Sequence, residues 1–386
     1  MMWTKAKIGD CCEITSSKRI FFSEYVESGI PFYRSKEIIE LSNCQEISDP
    51  LYISESKYDE IAHKFGIPQP GDMLLTSVGT IGIPYIVKEK DTFYFKDGNL
   101  TWFRNFNERL DSRYLFYWVK SAEGQGVLNN TTIGSSQKAL TIAALKDLKI
   151  LCPPIGIQNR IVEILTSYDD LIENNQKQIK LLEEAAQRLY KEWFVDLRFP
   201  GHENMKITDG VPEGWRRGAL ADVATFKRGK TITKEQTNPG VVPVVAGGLE
   251  PAYFHDTFNT GAPVITVSGS GANAGFTRMY HTKVWASDCS YVDSVATENL
   301  AWVYCFLKEN NTKIETMQKG AAQPHVYAKD INALEAVIPN DKQMKRFQAI
   351  AEPMFARIGT LETQKARLRE ACNCLLPKLM NGEIEV

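Results

Sequence analysis

Two stretches of the chain place apolar residues alternately three and four positions apart. The first stripe runs from Ile161 to Trp193 and the second from Phe347 to Leu379. A spacing that averages about 3.5 residues is typical of helices that pack along a coiled-coil seam. The pattern therefore predicts two long helices, each with one apolar face.

Each stripe has one polar interruption, Asn175 in the first and Lys365 in the second. A single buried polar residue at such a position commonly fixes the register of a helix pair. The sequence also predicts a break in each helix, because Thr166 or Ser167 could cap a new helix start and Pro353 lacks the backbone N–H of a helix interior. From that break the first helix would extend for about 40 Å to the end of its stripe.

The chain also contains one internal duplication, and repeats set the architecture of a protein. Residues 3–10 and 215–222 carry Trp, an aliphatic residue and Asp at identical spacing. The ends of the two halves also match, since GSSQ at 134–137 corresponds to GAAQ at 320–323. The two halves are therefore expected to share one fold.

The middles of the two halves diverge, and SVGT at 77–80 aligns only loosely with VSGS at 267–270. Alternating or β-branched runs punctuated by Gly and Pro predict strands in each middle, with short helices near the end. The predicted strands lie at 83–87, 92–95, 241–246 and 263–268, and the predicted short helices at 111–121, 141–147, 297–309 and 328–334. Each half is therefore expected to be a mixed α/β domain.

The composition is that of an ordinary globular protein, and each half of the 386 residues is long enough to bury its own core. The formal net charge of −2 does not by itself indicate nucleic-acid binding, although local basic clusters occur in both halves. The chain has no apolar run long enough to span a bilayer and no apolar signal segment, so we expect a cytoplasmic protein without a membrane partner. The 8 cysteines form no C-x-x-C pair and are interpreted as reduced thiols.

The sequence contains no recognisable motif for catalysis or for a bound cofactor. An adenine methyltransferase needs an Asn- or Asp-Pro-Pro-aromatic loop, and the only Pro-Pro pair precedes Ile155. Gly229 and Lys230 lack the earlier glycine of a phosphate-binding loop, and the glycines between 269 and 275 miss the dinucleotide fingerprint and are interpreted as turn residues. The histidines show no metal-ligand spacing. We therefore expect no catalytic residue, metal or cofactor.

The long helices resemble a known family. Residues 153–201, PPIGIQNRIVEILTSYDDLIENNQKQIKLLEEAAQRLYKEWFVDLRFPG, are similar to the central spacer of type I restriction-modification specificity subunits. LLPKLMNGEI at 375–384 is similar to the distal end of those proteins, and GTIG at 79–82 and the GSSQ segment resemble recurring features of their target recognition domains. The second half departs from the pattern, since GSGANAG at 269–275 stands near the expected GTIG.

The resemblance implies an α+β protein with two similar target recognition domains, separated by two long antiparallel coiled-coil helices in a pseudo-twofold repeat. The expected domains are target recognition domain 1 at 1–152, a central helical spacer at 153–200, target recognition domain 2 at 201–338 with a linker at 201–212, and a distal helical spacer at 339–386. Each domain would read one half of a bipartite double-stranded DNA site. The helices would set the gap between the half-sites and dock two methyltransferase subunits, and a restriction subunit would complete the assembly.

Candidate DNA-binding residues are polar or cationic side chains of the kinds that read base edges or hold phosphates. In the first domain they are Lys18, Arg19, Arg34, Lys36, Ser77, Thr80, Gln137 and Lys138; in the second they are Lys227, Arg228, Lys230, Ser268, Ser270, Gln323 and His325. The alternative interpretation of each candidate is an exposed polar residue on a turn, with no role in DNA binding.

Six large side chains near the helix ends are candidates for docking a partner subunit. They are Tyr190, Trp193, Phe194, Leu375, Leu376 and Leu379. Aromatic anchors are typical of interfaces, but these residues could equally close the internal helix pair. Two other functions also stay open: a self-contained DNA methyltransferase or nuclease with unfamiliar motifs, and a scaffold whose duplicated domains bind protein.

Overall fold

The computed structural model describes residues 3–43, 45–134, 138–318 and 324–386. The chain packs as two compact units. Unit 1 consists of Met1–Glu173 with Ala366–Val386, and unit 2 consists of Asn174–Lys365. Each unit therefore combines one half of the duplication with one part of each long helix.

The described part of unit 1 contains two four-stranded sheets and one two-stranded pair. Its strands are β1 Thr4–Lys7, β2 Glu13–Thr15, β3 Tyr25–Val26, β4 Ile30–Tyr33, β5 Leu51–Ile53, β6 Met73–Thr76, β7 Pro84–Ile86, β8 Tyr94–Phe95, β9 Leu100–Arg104 and β10 Lys149–Cys152. The orders are β2-β9-β6-β7, with all pairs antiparallel, and β3-β5-β4-β8, in which β4 and β8 run parallel. β1 pairs with β10, so the first and last strands close the domain.

Among the described residues of unit 1 there are five shorter α-helices and part of a long one. The shorter helices are α1 Ser35–Ser42, α2 Glu55–Phe65, α3 Ser112–Lys120, α4 Ala122–Thr131 and α5 Ile142–Asp147, and the long helix is α6 Ile155–Tyr190. Side-chain oxygens cap several of these helices, and Asp111 accepts hydrogen bonds from two backbone N–H groups at the start of α3. The predicted helices at 111–121 and 141–147 are confirmed.

Unit 2 repeats the same plan with different lengths. Its strands are β11 Ile207–Thr208, β12 Val211–Pro212, β13 Arg216–Ala219, β14 Lys227–Arg228, β15 Val242–Val245, β16 Tyr253–His255, β17 Val264–Ser268, β18 Thr277–Tyr280, β19 Trp285–Ala286, β20 Cys289–Asp293 and β21 Glu335–Ile338. Its helices are α7 Leu300–Glu309, α8 Asn311–Thr316, α9 Ala328–Asn332 and part of α10 Asp341–Met380. The predicted helices at 297–309 and 328–334 are confirmed.

The strand orders show that the duplication extends to the fold. The sheet β14-β20-β17-β18 has the connectivity of β2-β9-β6-β7, and β13 pairs with β21 as β1 pairs with β10. The smaller sheet β16-β15-β19 contains a parallel β15–β19 pair that corresponds to β4–β8. The predicted α+β class and internal repeat are therefore confirmed.

Both apolar stripes face inward, because every position of each stripe is buried or half-buried. In unit 1, Ile161 and Leu165 of α6 share a core with Leu379 of α10. In unit 2, Ile179 of α6 shares a core with Ile358 of α10. The two helices run antiparallel within unit 2, where Gln176 accepts a hydrogen bond from Lys365 while Tyr190 and Trp193 lie against Phe347.

The predicted helix breaks are wrong, since α6 and α10 are continuous helices of 36 and 40 residues. The Ser167 hydroxyl donates to the carbonyl of Ile164 at 2.6 Å and so bonds within its own helix instead of capping a new one. Pro353 lies on the exposed face of α10, with buried Ala351 and Phe355 close on either side along the chain. Their burial holds the helix together despite the missing N–H.

Candidate nucleic-acid interface

In unit 1 the candidate residues gather around the turn that precedes β9. The backbone carbonyl of Asn99 accepts hydrogen bonds from the Ser77 N–H at 2.8 Å and from the Ser35 hydroxyl at 3.4 Å. Asp97, two residues earlier, accepts a hydrogen bond from Arg19 Nε at 2.9 Å. Three segments that are distant in sequence therefore meet at one turn, and they carry Lys18–Arg19, Arg34–Lys36 and the loop after β6.

A fourth segment joins them through the backbone. The Gly79 N–H donates to the Lys138 carbonyl at 3.3 Å, and the Leu140 N–H donates to the Ser77 carbonyl at 2.8 Å. We call these two bonds, together with the Ser77–Asn99 bond, the loop frame of unit 1. All three bonds join main-chain atoms. The side chains of these residues are therefore not needed for the bonds of the frame.

Unit 2 contains a loop frame with the same three bonds. The Gly269 N–H donates to the Asp288 carbonyl at 3.2 Å, the Gly271 N–H donates to the Pro324 carbonyl at 3.1 Å, and the Val326 N–H donates to the Gly269 carbonyl at 3.1 Å. Gly269 therefore occupies the position of Ser77, and Asp288 occupies that of Asn99. The duplication is thus maintained at the atoms that join the loops, even though the sequences of the middles diverge.

The frame corrects the sequence alignment of the two middles. It pairs residue 77 with 269, so SVGT at 77–80 corresponds to 269–272 and not to VSGS at 267–270. The next shared bond runs from the Gly82 N–H to the Thr76 carbonyl in unit 1 and from the Gly275 N–H to the Ser268 carbonyl in unit 2. GTIG therefore corresponds to the longer GANAG at 271–275, and the loop of the second domain has one extra residue.

Exposed cations occur in both units on segments that form or adjoin the frames. Seven of the candidate side chains are exposed lysines or arginines: Lys18, Arg19, Lys36, Lys138, Lys227, Arg228 and Lys230. Lys18 and Lys230 lie at equivalent places, 15 residues after the first Trp of their halves. Each stands over an aromatic ring, Lys18 at 4.5 Å from the ring centre of Phe65 and Lys230 at 6.0 Å from that of Trp285.

Four candidate side chains are engaged in contacts within the protein, which argues against the DNA-binding role predicted for them. Ser77 is 2% exposed and its hydroxyl lies 2.7 Å from that of Thr101, while Ser268 is 3% exposed and donates to the Gly247 carbonyl at 3.1 Å. The Ser270 hydroxyl donates to the Asp288 carboxylate. These three serines position their loops.

Arg34 is the fourth. Its guanidinium forms a salt bridge with the buried carboxylate of Glu37, 2.5 Å between Nη2 and Oε1, and a longer one with Asp49. The hydrogen bond with Glu37 raises the pKa of the Arg34 guanidinium above its ordinary value. A cation neutralised in this way contributes little charge to a phosphate.

The remaining candidates are placed as follows. Thr80 is exposed on the loop after β6. His325 is half-buried, bridges the backbone of Ser270 and stacks on Tyr327 with ring centres 5.8 Å apart. Gln137 and Gln323 lie outside the described residues.

Two residues at the centre of the frames, Asn99 and Asp288, are not among the candidates predicted from the sequence. Both are half-buried at the turn that leads into β9 or β20. The sequence signal that was available is their place directly before an apolar β-run, but that signal is shared by many turn residues.

The aromatic docking candidates are in the core. Tyr190, Trp193 and Phe194 are 4%, 5% and 8% exposed and pack on Phe347 and its neighbours in unit 2. Burial almost completely removes water from Tyr190 and raises the pKa of its hydroxyl well above the usual value. Of the two alternatives for these residues, the structure selects closure of the internal helix pair.

The leucine candidates have a similar placement in unit 1. Leu376 and Leu379 are buried, and Leu375 is half-buried against the same core. Among residues 3–43, 45–134, 138–318 and 324–386, no group of three or more His, Cys, Asp or Glu side chains could hold a metal ion. Within the same described part of the chain, no helix is both long and apolar enough to cross a bilayer.

Comparison with known proteins identifies the family. The profile described as "Type I restriction modification DNA specificity domain" matches residues 2–184 and 212–370. The chain therefore belongs to the family of type I restriction-modification DNA specificity proteins, and it carries two copies of the specificity domain, one in each half.

Individual relatives agree with this assignment. The chain is 26% identical to the type I restriction enzyme MjaIX specificity subunit of Methanocaldococcus jannaschii, over 100% of this chain and 94% of that protein. It is 30% identical to a putative type I restriction enzyme specificity subunit of Haemophilus influenzae, over 48% of this chain and 45% of that one. A crystal structure of the S subunit of a type I restriction-modification system from M. genitalium has the same fold, with a TM-score of 0.63 at 16% identity over 98% of this chain and 96% of the other.

Proposed function

We propose that the two specificity domains of this chain each read one half of a bipartite double-stranded DNA site, and that the chain has no catalytic activity of its own. The observation that carries the proposal is the loop frame, which occurs once in each unit with the same three backbone bonds. Exposed cations around each frame can hold phosphates, while the loops present polar groups to the bases between them. Two similar readers in one chain fit a target made of two half-sites.

The direct test uses the chain co-purified with its methyltransferase subunits. We expect the complex to methylate a split sequence with an unread gap, and we expect the pure chain alone neither to methylate nor to cleave DNA. Mapping of methylated positions in genomic DNA measures the target. Methylation dependent on S-adenosylmethionine by the pure chain would instead support the alternative of a self-contained enzyme.

We further propose that α6 and α10 set the length of the gap. Both are continuous helices, and their side chains meet near Gln176 and Lys365. Insertion of a second copy of Lys177–Lys180 together with four residues beside Lys365 adds about 6 Å of rise to each helix. We expect both half-sites to stay the same and the gap to lengthen by one or two base pairs, since one base pair rises about 3.4 Å.

The control for this experiment is the same four-residue insertion at the Asp209–Gly210 turn, which joins β11 and β12 outside both long helices. That insertion should leave the gap unchanged. A gap that stays the same in a fully active double-insertion complex would show that the helices do not set the spacing.

The outward face of the two long helices is the docking surface we propose for the methyltransferase subunits. In unit 2 a groove of about 470 Å³ lies between them. Leu181 and Ile350 on its walls are 63% and 42% exposed. Arg188 and Glu192 line the same groove. The groove therefore combines apolar and charged side chains, as protein interfaces with an apolar core and a polar rim do.

Substitution of Leu181→Asp or Ile350→Asp should weaken co-purification of the methyltransferase subunits at least about 10-fold, because a buried unpaired carboxylate is costly at an interface. The matched control is Val241→Asp, at a valine that is 88% exposed on a loop of the same unit. Equal co-purification of all three variants would place the docking surface elsewhere.

A further inference from the structure

The position that Asn99 holds in unit 1 is held by Asp288 in unit 2. Each residue immediately precedes an inner strand of a four-stranded sheet, β9 in β2-β9-β6-β7 or β20 in β14-β20-β17-β18. In each loop frame the backbone carbonyl of this residue accepts a hydrogen bond, and its side chain takes no part in that bond. Both side chains are half-buried in the part of the unit where the candidate loops converge.

The polar atoms of the two side chains have unused hydrogen-bonding capacity. Within the described part of the chain, the Asn99 amide makes no hydrogen bond. One carboxylate oxygen of Asp288, Oδ2, accepts from the Ser270 hydroxyl, and the other, Oδ1, accepts none from the described residues. The serine therefore fixes the orientation of the carboxylate while one acceptor stays open.

The two side chains have different partners in DNA. An Asn amide can donate to N7 and accept from N6 of adenine in the major groove, and such a bidentate pair discriminates adenine from the other bases. A carboxylate accepts from the N4 amino group of cytosine. It repels phosphates, so an oriented carboxylate among the cations of a DNA-binding surface is suited to a base and not to the backbone.

We propose that Asn99 and Asp288 are equivalent base-reading positions, at which Asn99 selects an adenine in the first half-site and Asp288 selects a cytosine in the second. The inference rests on the proposed function and adds to it the residue and the base. It also replaces Ser77, Ser268 and Ser270, whose hydroxyls are engaged within the protein, as the readers at the centre of each frame.

The first test exchanges the two side chains, each for its isostere, in the complex with its methyltransferase subunits. Asn99→Asp should change the methylated motif at one base pair of one half-site, and Asp288→Asn should change one base pair of the other. The Asp288→Asn amide oxygen can still accept from Ser270, so the loop is retained. The matched controls are Asn43→Asp at the end of α1 and Asp209→Asn in the linker, both exposed and outside the frames; they should leave the motif unchanged.

The second test covers the case in which a variant complex no longer methylates DNA. Binding is measured with duplexes that carry 7-deazaadenine, which lacks the N7 acceptor, or N4-methylcytosine, in which the amino group is blocked. The unmodified complex should bind about 10-fold or more weakly when 7-deazaadenine replaces one particular adenine of the site, and likewise when N4-methylcytosine replaces one particular cytosine. Asn99→Ala should be insensitive to the adenine analogue only, and Asp288→Ala to the cytosine analogue only.

The outcomes separate this inference from the proposed function. Variants that keep the motif and the analogue sensitivity of the unmodified complex would overturn the base-reading roles and leave the two-reader function intact. An unmodified complex that recognises no split site would overturn the proposed function itself. Loss of sensitivity to both analogues in a single variant would show that the residue supports the fold of the chain and does not read a base.

Discussion

The two recognition halves share a backbone frame and differ in the side chains placed on it. In unit 1 the frame carries Ser77 and Asn99, and in unit 2 the same positions carry Gly269 and Asp288. The loop that follows is one residue longer in the second half. Because the bonds of the frame join main-chain atoms, each half can present a different set of polar side chains from the same scaffold.

The largest expected difference between the halves is in the effect of an alanine substitution on stability. It concerns Gly229 and its counterpart Ser17, each of which lies 14 residues after the first Trp of its half. A Cβ atom at Gly229 would stand 2.3 Å from the Ser287 carbonyl oxygen, next to the turn that carries Asp288. Gly229→Ala should therefore lower the free energy of unfolding by about 3 kcal/mol through forced backbone displacement. Chemical denaturation of the purified chain measures this.

Ser17→Ala is the matched control in unit 1. The Ser17 hydroxyl is buried and has no hydrogen-bond partner among the described residues, so its removal should be neutral or slightly stabilising. If the two alanine variants were equally stable, the close approach of the backbone in unit 2 would not be rigid.

The second difference is in the response to pH. Burial lowers the pKa of His281 in unit 2 to about 4, whereas His63 in unit 1 is exposed. The folded state then binds fewer protons than the unfolded state, so stability is fully present above the unfolded pKa of about 6.5 and is lost as the pH falls. Between pH 7 and pH 5 we expect protonation of His281 in the unfolded state to lower the free energy of unfolding of unit 2 by about 2 kcal/mol.

Hydrogen exchange at several pH values can follow the two units separately. In the His281→Gln variant the additional loss in unit 2 should disappear, and unit 1 should respond as before. A variant with the same pH response as the unmodified chain would mean that His281 becomes protonated in the folded state without cost.

The smallest expected effect concerns a feature that both halves share. Lys18 and Lys230 each stand over an aromatic ring and are exposed. If each contacts one phosphate, replacement by Ala should reduce the slope of log affinity against log salt by about 0.9 and leave the base preference unchanged. Fluorescence anisotropy of a labelled duplex over a salt series measures the slope. Different slopes for the two variants would show that the halves hold DNA differently.

The sequence predicted the repeating elements well and the loop chemistry poorly. The two helices and the strand at 263–268 follow from periodicity, because apolar spacing records which face is buried. The helices α1, α2, α4 and α8 were missed because they are mostly polar and bury only one or two residues each. The predicted breaks failed because the cores of the two units override the local preference of Pro353 and Ser167.

The candidate site was predicted at the level of segments and only partly at the level of residues. Basic clusters and loop motifs identify the segments that converge. The burial of the serines and the equivalence of Asn99 and Asp288 depend on hydrogen bonds between residues 18 or more positions apart in sequence. Periodicity and spacing do not record such bonds, and for this reason the alignment of SVGT with VSGS was two residues out of register.

The sharing of α6 and α10 between the two packing units affects how recognition halves can be exchanged between related chains. A transplant that ended at residue 152 would leave Ile161, Leu165 and Leu379 of the recipient against a foreign core. A transplant of Met1–Glu173 together with Ala366–Val386 would carry its own helix segments with it. Productive chimeras are therefore expected to have paired crossover points inside both helices, and natural recombination between such genes should leave junctions at the same two places.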